Sequence, residues 1–176
     1  MKTSVNGLNL IKEFESLHDG DLSIIGLQPK MCPAQVWTEG YGRAMRNKSG
    51  VFLKGTKDKQ EAYANITINN KQEAEKALSE DVRVFERIVS SKVRVPLTQN
   101  QFDALVSFSY NCGVTALNNS TLLKDIKANA SMEKIKEDFL MWCNCNGERA
   151  LGLYRRRFDE FEMYESADYT RTYRSF

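Results

Sequence analysis

The stretch VPLTQNQFDALVSFSYNCG (95–113) contains the most informative helix signal in the chain. Thr98 and Gln101 have the spacing of a capping box, in which each side chain binds the backbone N–H of the other residue at a helix N-terminus. Apolar side chains then recur at helical spacing: Phe102, Leu105, Val106, Phe108 and Tyr110. Glycine commonly ends a helix, so the stretch predicts a helix that begins after Thr98 and stops at Gly113.

A longer helix is predicted upstream, over residues of about 71–91. Asn70 followed by Glu73 is an N-cap signature. The apolar positions that follow at spacings of three and four are Ala74, Ala77, Leu78, Val82, Phe85, Ile88 and Val89. We expect this helix to connect two lobes.

The N-terminal part is predicted to be a short helix followed by a loop-rich β region. Leu10, Phe14 and Leu17 have helical spacing, which predicts a helix over about 6–17. From Gly20 onward, Gly, Pro, Asp and Ser residues interrupt short β-prone pieces such as residues 35–38.

Further helices are predicted over 120–128, 131–143 and 153–164, which makes the second half of the chain helical. There is no internal repeat and no low-complexity segment. The expected fold class is therefore α+β. The expected organisation is an N-terminal helix and β lobe over 1–70, a connecting helix over 71–91 and a helical lobe over 92–176.

The composition favours one compact unit with little net charge. The chain has 176 residues and 41% hydrophobic content, enough to bury a sizeable core. Its 25 basic and 23 acidic residues give a net charge of +2, which does not indicate nucleic-acid binding. Several arginines concentrate near the C-terminus, and such a face suits either solvent or an anionic polymer such as a cell wall.

The cysteines and the N-terminus indicate a reducing compartment. Cys143 and Cys145 are too close for an ordinary bridge, and Cys32 and Cys112 are irregularly spaced, so free thiols are expected. His18 is the only histidine, and we expect no metal and no cofactor. The segment MKTSVNGLNLIKEFE has no apolar signal region, which predicts a cytoplasmic product without an export signal or membrane insertion.

Several motifs together resemble the phage-type lysozymes, or endolysins, of glycoside hydrolase family twenty-four. They are FES (14–16), VWTEGYG (36–42), the stretch 95–113 quoted above, STLL (120–123) and the segment 142–157. The match spans nearly the whole chain, and PLTQNQFDAL is its most specific part. The resemblance implies a lysozyme-like fold with a cleft between a small α/β lobe and a larger helical lobe. It also implies hydrolysis of the β-1,4 bond between N-acetylmuramic acid and N-acetylglucosamine in peptidoglycan.

The resemblance implies three catalytic positions. Members of the family carry a glutamate, then an aspartate or cysteine, then a threonine, and these match Glu15, Cys32 and Thr38. The segment between Glu15 and Cys32 is longer than in compact members, with extra residues around 18–29. Glu39 and Arg43 stand where the family usually has isoleucine and histidine.

The resemblance also implies supporting and substrate-binding residues. Arg155 or Arg156 matches an arginine that orients the glutamate, and Arg43 lies beside the catalytic strand. Tyr110, Asn111 and Thr121 match positions that bind sugar or peptide, and Tyr110 could equally be a core residue. Trp142 is expected to be structural, and Gln35 replaces a common glycine, so the turn after Cys32 must form with a non-glycine residue.

The chemistry requires one protonated carboxylic acid and a nucleophile or held water on the other face of the sugar. Glu15 is the candidate acid, and Thr38 with Cys32 could hold the water. Cys32 is either a thiolate base, a polar contact or a buried thiol. Other candidates for a second carboxylate are Asp19, Asp21 and Glu39, each of which is otherwise a turn or surface residue.

Two alternatives to a hydrolase stay open on the sequence. The absence of the aspartate and histidine at positions 32 and 43 is compatible with a wall-binding module that has lost catalysis. A lytic transglycosylase needs one acid and no held water. The expected partners are peptidoglycan and, functionally, a holin that opens the membrane, with a monomeric enzyme.

Overall fold

A computed structural model describes residues 1–145 and 147–176 of the chain. The chain divides into two compact units. One unit is Glu15–Asp81, and the other combines Met1–Phe14 with Val82–Phe176. The first is called here the β unit and the second the helical unit. Helices predominate and the strands are few and short, which confirms the predicted α+β class.

The β unit contains a small antiparallel sheet of order β1-β2-β3. Its strands are β1 (Lys30–Met31), β2 (Trp37–Glu39) and β3 (Arg43–Ala44). The register aligns Thr38 with Lys30 on one side and with Ala44 on the other. The central strand begins two residues after the start of the predicted β-prone piece.

The core of the β unit is built around Trp37. This side chain is buried with Met45, Leu53 and Ala62, and its indole Nε1 donates a hydrogen bond to the Gly55 carbonyl at 2.8 Å. A short 3-10 helix (Thr56–Asp58) and α2 (Lys59–Ala64) follow the sheet. Burial of a tryptophan is worth several kcal/mol, about 3–5 by truncation to alanine, so the unit has a core of its own.

The remaining helices lie close to their predicted positions. The predicted helix at 71–91 forms over Lys71–Lys92, and the helix after Thr98 ends at Cys112 with Gly113 as its cap. The elements that were not predicted are the short helices α2 and α5, the 3-10 helix and the hairpin β4–β5. The helices are α1 (Val5–Glu15), α3 (Lys71–Lys92), α4 (Gln99–Cys112), α5 (Val114–Asn119), α6 (Thr121–Lys127), α7 (Met132–Leu140) and α8 (Leu151–Ser166), and the hairpin strands are β4 (Asn144–Cys145) and β5 (Glu148–Arg149).

In the helical unit both α4 and α7 pack against α8. Phe108 of α4 is fully buried and meets Phe139 and Trp142 edge to face, at ring-centroid distances of 5.8 and 5.5 Å. Such pairs add about 0.5–1.5 kcal/mol each beyond area burial. Trp142 therefore has the structural role that was predicted for it.

Asp103, in the middle of the stretch 95–113, forms hydrogen bonds that join α4 to the N-terminal and C-terminal segments of the helical unit. Its fully buried carboxylate accepts bonds from the Ser4 N–H and hydroxyl, and from the Tyr169 hydroxyl at 2.9 Å. Burial and this bond raise the pKa of Tyr169 to about 12. A Cβ on Gly7 would lie 2.8 Å from the Asp103 Cγ, so only glycine fits against this carboxylate.

Candidate active site

Glu15 is the last residue of α1 and is half-buried. The next residue, Ser16, has a φ of 58° and turns the chain out of the helix. The Glu15 carboxylate reaches the glycine turn that follows β2, because a Cβ built on Gly42 would lie 3.4 Å from Glu15 Oε2. Gly42 has a φ of 86°, which favours glycine in any case. The structure thus brings the predicted acid to the predicted GYG turn.

Thr38 is the central residue of β2 and is only 5% exposed. Its hydroxyl donates a hydrogen bond to the backbone carbonyl of Lys30 at 2.8 Å. The same oxygen lies 2.7 Å from Nδ1 of His18. The sheet register sets the first contact, since Lys30 and Thr38 are paired across β1 and β2.

His18 lies between Glu15 and Thr38 in this arrangement. Its backbone N–H donates to the Gly40 carbonyl at 2.8 Å, and its ring contacts Thr38. Burial lowers the pKa of His18, and the Lys30 ammonium lowers it further, against the opposite effect of the Glu15 carboxylate and backbone carbonyl. In the sequence alone, the single histidine indicated only that a site with several imidazoles cannot form. Its position three residues after Glu15 was the signal available.

Cys32 begins the turn between β1 and β2. Its N–H donates to the Val36 carbonyl and its carbonyl accepts from Gln35 N–H, both at 2.8 Å. Gln35 has a φ of 62°, so this turn does place a non-glycine residue in the left-handed region, as predicted. The thiol is half-buried, and within residues 1–145 and 147–176 no hydrogen bond joins it to Thr38.

The three alternative carboxylates have structural bonds. The buried Glu39 accepts from Thr67 N–H at 2.9 Å, from the Thr67 hydroxyl at 2.5 Å and from Ile68 N–H at 3.1 Å. Asp19 and Asp21 accept bonds from nearby backbone N–H groups in their own loop. These contacts leave Glu39 as an anchor for the segment before α3.

Arg43, which replaces the family's histidine, is turned toward α3. Its guanidinium binds Asp81 through Nε at 2.9 Å and Nη2 at 3.0 Å, and Nη2 also donates to the Ala77 carbonyl. Hydrogen bonding to Asp81, with the charge of Glu80 nearby, raises the pKa of Arg43 above its already high ordinary value. The side chain therefore fixes β3 to α3 in the β unit.

The other predicted residues belong to the helical unit. Arg156 is buried over the Phe14 ring, with its Cζ 4.7 Å from the ring centroid, and its Nε contacts Glu160 at 3.1 Å. Arg155 donates instead to the Arg174 carbonyl in the C-terminal segment. Phe14, which directly precedes Glu15 in the sequence, is thus in contact with Arg156 within the helical unit.

The three predicted substrate-binding residues lie at the ends of two helices. Tyr110 packs edge to face on Phe85 at 5.4 Å, and Asn111 accepts a bond from Arg157 at 3.0 Å through Oδ1. Thr121 is the exposed first residue of α6. The Asn111 amide N–H groups remain as donors beside this contact.

Comparison with known proteins settles the family. The family model described as phage lysozyme matches residues 24–160. The chain belongs to the phage lysozyme family. An endolysin of Acyrthosiphon pisum secondary endosymbiont phage 1 is 33% identical over 95% of the chain and 100% of its own length. This phage lysozyme also resembles the endolysin of Bacillus phage B103, at 32% identity over 93% of the chain and 54% of that longer protein.

Solved structures give the same result. The endolysin of Escherichia coli O157:H7 phage FAHEc1 aligns with a TM-score of 0.75 and 31% identity, over 97% of both chains. The muramidase domain of SpmX from Asticaccaulis excentricus aligns with a TM-score of 0.71 and 28% identity, over 94% of this chain and 98% of that one. This phage lysozyme is a glycoside hydrolase that lyses the bacterial cell wall, with peptidoglycan as its substrate.

Two negative observations apply to the described part of the chain. Among residues 1–145 and 147–176, no group of three or more His, Cys, Asp or Glu side chains is placed to hold a metal ion. Over the same residues, no helix combines the length and apolar character that crossing a membrane requires.

Proposed function

We propose that Glu15 is the general acid with which this lysozyme cleaves the bond between N-acetylmuramic acid and N-acetylglucosamine. The observation that supports this role is the seating of the Glu15 carboxylate over Gly42, at the glycine turn of the sheet. A general acid must protonate the leaving glycosidic oxygen as its bond to the anomeric carbon breaks. A half-buried carboxyl held at a rigid turn can meet that requirement.

The opposite side of the reaction is assigned to Thr38 and Cys32. The Thr38 hydroxyl holds the attacking water, whose oxygen forms the new bond to the anomeric carbon as the old bond breaks. Cys32 either receives the proton of that water as a thiolate or only contacts the water as a polar group, in which case the proton passes to bulk solvent, and its variants distinguish the two. Water held on the far face predicts inversion at the anomeric carbon.

Substrate positioning is assigned to the helical unit. Tyr110, Asn111 and Thr121 offer an aromatic face, an amide and a hydroxyl, which are the groups that bind sugars and short peptides. Arg156 and Arg155, with Arg43 in the β unit, are assigned to keep the catalytic segments in place. The contact of Arg156 with Phe14, the neighbour of Glu15, supports this role.

The place of action is proposed from the resemblance to endolysins. The enzyme accumulates in the host cytoplasm as a monomer and reaches the wall once a holin has opened the membrane. Expression in a Gram-negative host tests this, because lysis should follow only when a holin or chloroform permeabilises the membrane. Lysis without either would contradict the holin dependence, and a dimer in gel filtration would contradict the monomer.

Turbidity clearing of purified peptidoglycan tests the acid. Glu15→Gln should lower the rate by about 100-fold or more, since a positioned general acid contributes that much. Glu13→Gln is the matched control, because Glu13 is an exposed glutamate on the same helix. Equal clearing by Glu15→Gln and the wild type would refute the assignment.

Product analysis separates hydrolysis from its alternatives. New reducing ends indicate a hydrolase, whereas anhydro-sugar ends indicate a lytic transglycosylase. A wild type that sediments with peptidoglycan but releases neither product would be a wall-binding module. Anhydro-sugar ends, or binding to peptidoglycan without release of products, would replace the proposed mechanism.

A further inference from the structure

We propose that His18 is a positioning residue of this lysozyme, which fixes the Thr38 hydroxyl so that it accepts a hydrogen bond from the attacking water. This inference rests on the proposed function, because Thr38 is there assigned to hold that water. His18 lies in the long segment between Glu15 and Cys32, so the inference gives that segment a part in the reaction.

The direction of the bonds around Thr38 follows from its single hydroxyl proton. The Lys30 carbonyl can only accept, and it lies 2.8 Å from Thr38 Oγ1, so the hydroxyl proton points toward Lys30. The 2.7 Å contact with His18 Nδ1 then requires a proton on the nitrogen, since two lone pairs would otherwise face each other. His18 therefore donates Nδ1–H to Thr38.

Among residues 1–145 and 147–176, the hydrogen bonds of Thr38 Oγ1 leave one of its lone pairs without a donor. A hydroxyl oxygen has two lone pairs, and His18 occupies one of them. A water that meets this oxygen can only donate a proton to it, so one lone pair of the water is directed away from Thr38. The hydrogen bonds of Thr38 to His18 and to the Lys30 carbonyl thus hold its hydroxyl in one orientation. In that orientation the oxygen can accept a further hydrogen bond.

The environment of His18 fits a neutral imidazole with a defined tautomer. Burial and the charge of Lys30 lower its pKa below the ordinary value, although Glu15 opposes this. A lowered pKa favours the neutral ring, and the Nδ1–H bond to Thr38 then leaves the lone pair on Nε2. The backbone bond from His18 N–H to the Gly40 carbonyl, at 2.8 Å, holds the residue in register with β2 independently of the ring.

Orientation of the Thr38 hydroxyl by His18 matters here because position 32 has a thiol and no carboxylate. A carboxylate binds and orients a water by accepting hydrogen bonds at two oxygens, whereas a thiol is a weak partner. With Cys32 in that place, orientation of the water depends more on Thr38. A small misplacement of reacting groups costs up to about 100-fold in rate, which is the scale of the effect expected from losing the acceptor.

The first experiment observes the tautomer directly and does not depend on activity. Because the chain has a single histidine, long-range ¹⁵N–¹H NMR of the whole protein at pH 7 reports Nδ1 and Nε2 of His18 without assignment. The expected result is a protonated Nδ1 and an unprotonated Nε2. Thr38→Val, which keeps the shape and removes the hydroxyl, should shift the ring toward the Nε2–H form. A wild type already in the Nε2–H form would overturn the proposal.

The second experiment uses amides that imitate one ring nitrogen at a time. The side-chain nitrogen of Asn stands at the position of Nδ1, and that of Gln at the position of Nε2. In clearing assays His18→Asn should keep kcat within about threefold of the wild type, whereas His18→Gln and His18→Ala should lose about 10-fold or more, with KM little changed. Thermal unfolding of each variant checks that the fold is kept.

The outcomes separate this inference from the proposed function. Wild-type activity in His18→Ala, or an equal loss in the Asn and Gln variants, would overturn the positioning role while Glu15→Gln still tests the acid. If the wild type does not clear peptidoglycan, the proposed function fails and the role of His18 in the reaction fails with it. The NMR result then still decides whether the His18 to Thr38 bond exists.

Discussion

The Arg43 guanidinium binds the Asp81 carboxylate through two bonds, Nε to Oδ2 at 2.9 Å and Nη2 to Oδ1 at 3.0 Å. This fork geometry is specific to arginine and adds orientation to charge. It joins β3 to α3, directly after the glycine turn that carries the Glu15 contact. Arginine at position 43 therefore forms an anchor whose cation does not titrate near neutral pH.

Arg43→His should make stability depend on pH. A histidine beside Asp81 would have a pKa above its unfolded value of about 6.5, so its ion pair is fully present below that value. It is lost as pH rises through the raised folded pKa. Relative to the wild type, we expect the free energy of unfolding of this variant in urea to fall by about 1 kcal/mol more at pH 8 than at pH 5.5.

Arg43→Lys serves as the control for that pH dependence. Lysine keeps a charge at both pH values and loses the fork, so its destabilisation relative to wild type should be equal at pH 5.5 and pH 8. A pH-independent loss in Arg43→His would show that the pair with Asp81 contributes packing rather than charge.

Glu39 is predicted to be needed for stability rather than for catalysis. Its two oxygens accept three hydrogen bonds from Thr67 and Ile68. A glutamine in its place would direct its NH2 group at one of these N–H or O–H groups, and that hydrogen bond would be lost. Glu39→Gln should cost about 2 kcal/mol in chemical unfolding, and Glu61→Gln on exposed α2 should cost less than about 0.5. If Glu39→Gln were fully stable but inactive in clearing, Glu39 would be a catalytic carboxylate after all.

Local signals predicted most of the helices and not the shortest elements. The capping box of Thr98 and Gln101 and the stop at Gly113 are formed within a few residues, and both occur in the structure. The six-residue α5 follows Gly113 directly, and each hairpin strand has two residues. Such elements are too short to show a period, because tertiary packing decides them.

The candidate site was only partly accessible to sequence reasoning. Glu15, Cys32 and Thr38 came from the resemblance, and their roles stay predictions. The contact of His18 with Thr38 depends on the path of the segment after α1 and on the β1–β2 register, neither of which a local pattern encodes. The bonds that make Glu39 structural likewise join residues 28 positions apart.

Cys32→Asp is predicted to retain or increase activity, and Cys32→Ala to lose about 10-fold in clearing rate. Aspartate restores the residue type common in the family and offers a stronger acceptor and base than a thiol, whereas alanine offers neither. Rates of both variants, with unfolding curves to check the fold, decide the point. Full activity in Cys32→Ala would mean that position 32 is structural.

Alkylation provides an independent measure at the same position. Iodoacetamide should inactivate the enzyme, and it should not inactivate Cys32→Asp. Both proteins should carry Cys145→Ser, because Cys145 is the exposed thiol and would otherwise react as well. Equal inactivation of the two would trace the effect to Cys112 or Cys143 instead.

Gln35→Gly is predicted to stabilise the enzyme, because Gln35 adopts a φ of 62° in the turn that begins at Cys32. A side chain in the left-handed region costs about 1–2 kcal/mol, and glycine avoids that cost while losing part of the gain to greater freedom in the unfolded chain. The expected net gain is up to about 1 kcal/mol in urea unfolding. Gln60→Gly is the matched control of opposite sign, since Gln60 is exposed within α2 and glycine there should cost about 1 kcal/mol. Destabilisation by Gln35→Gly would mean that contacts of the glutamine side chain outweigh the backbone strain at this turn.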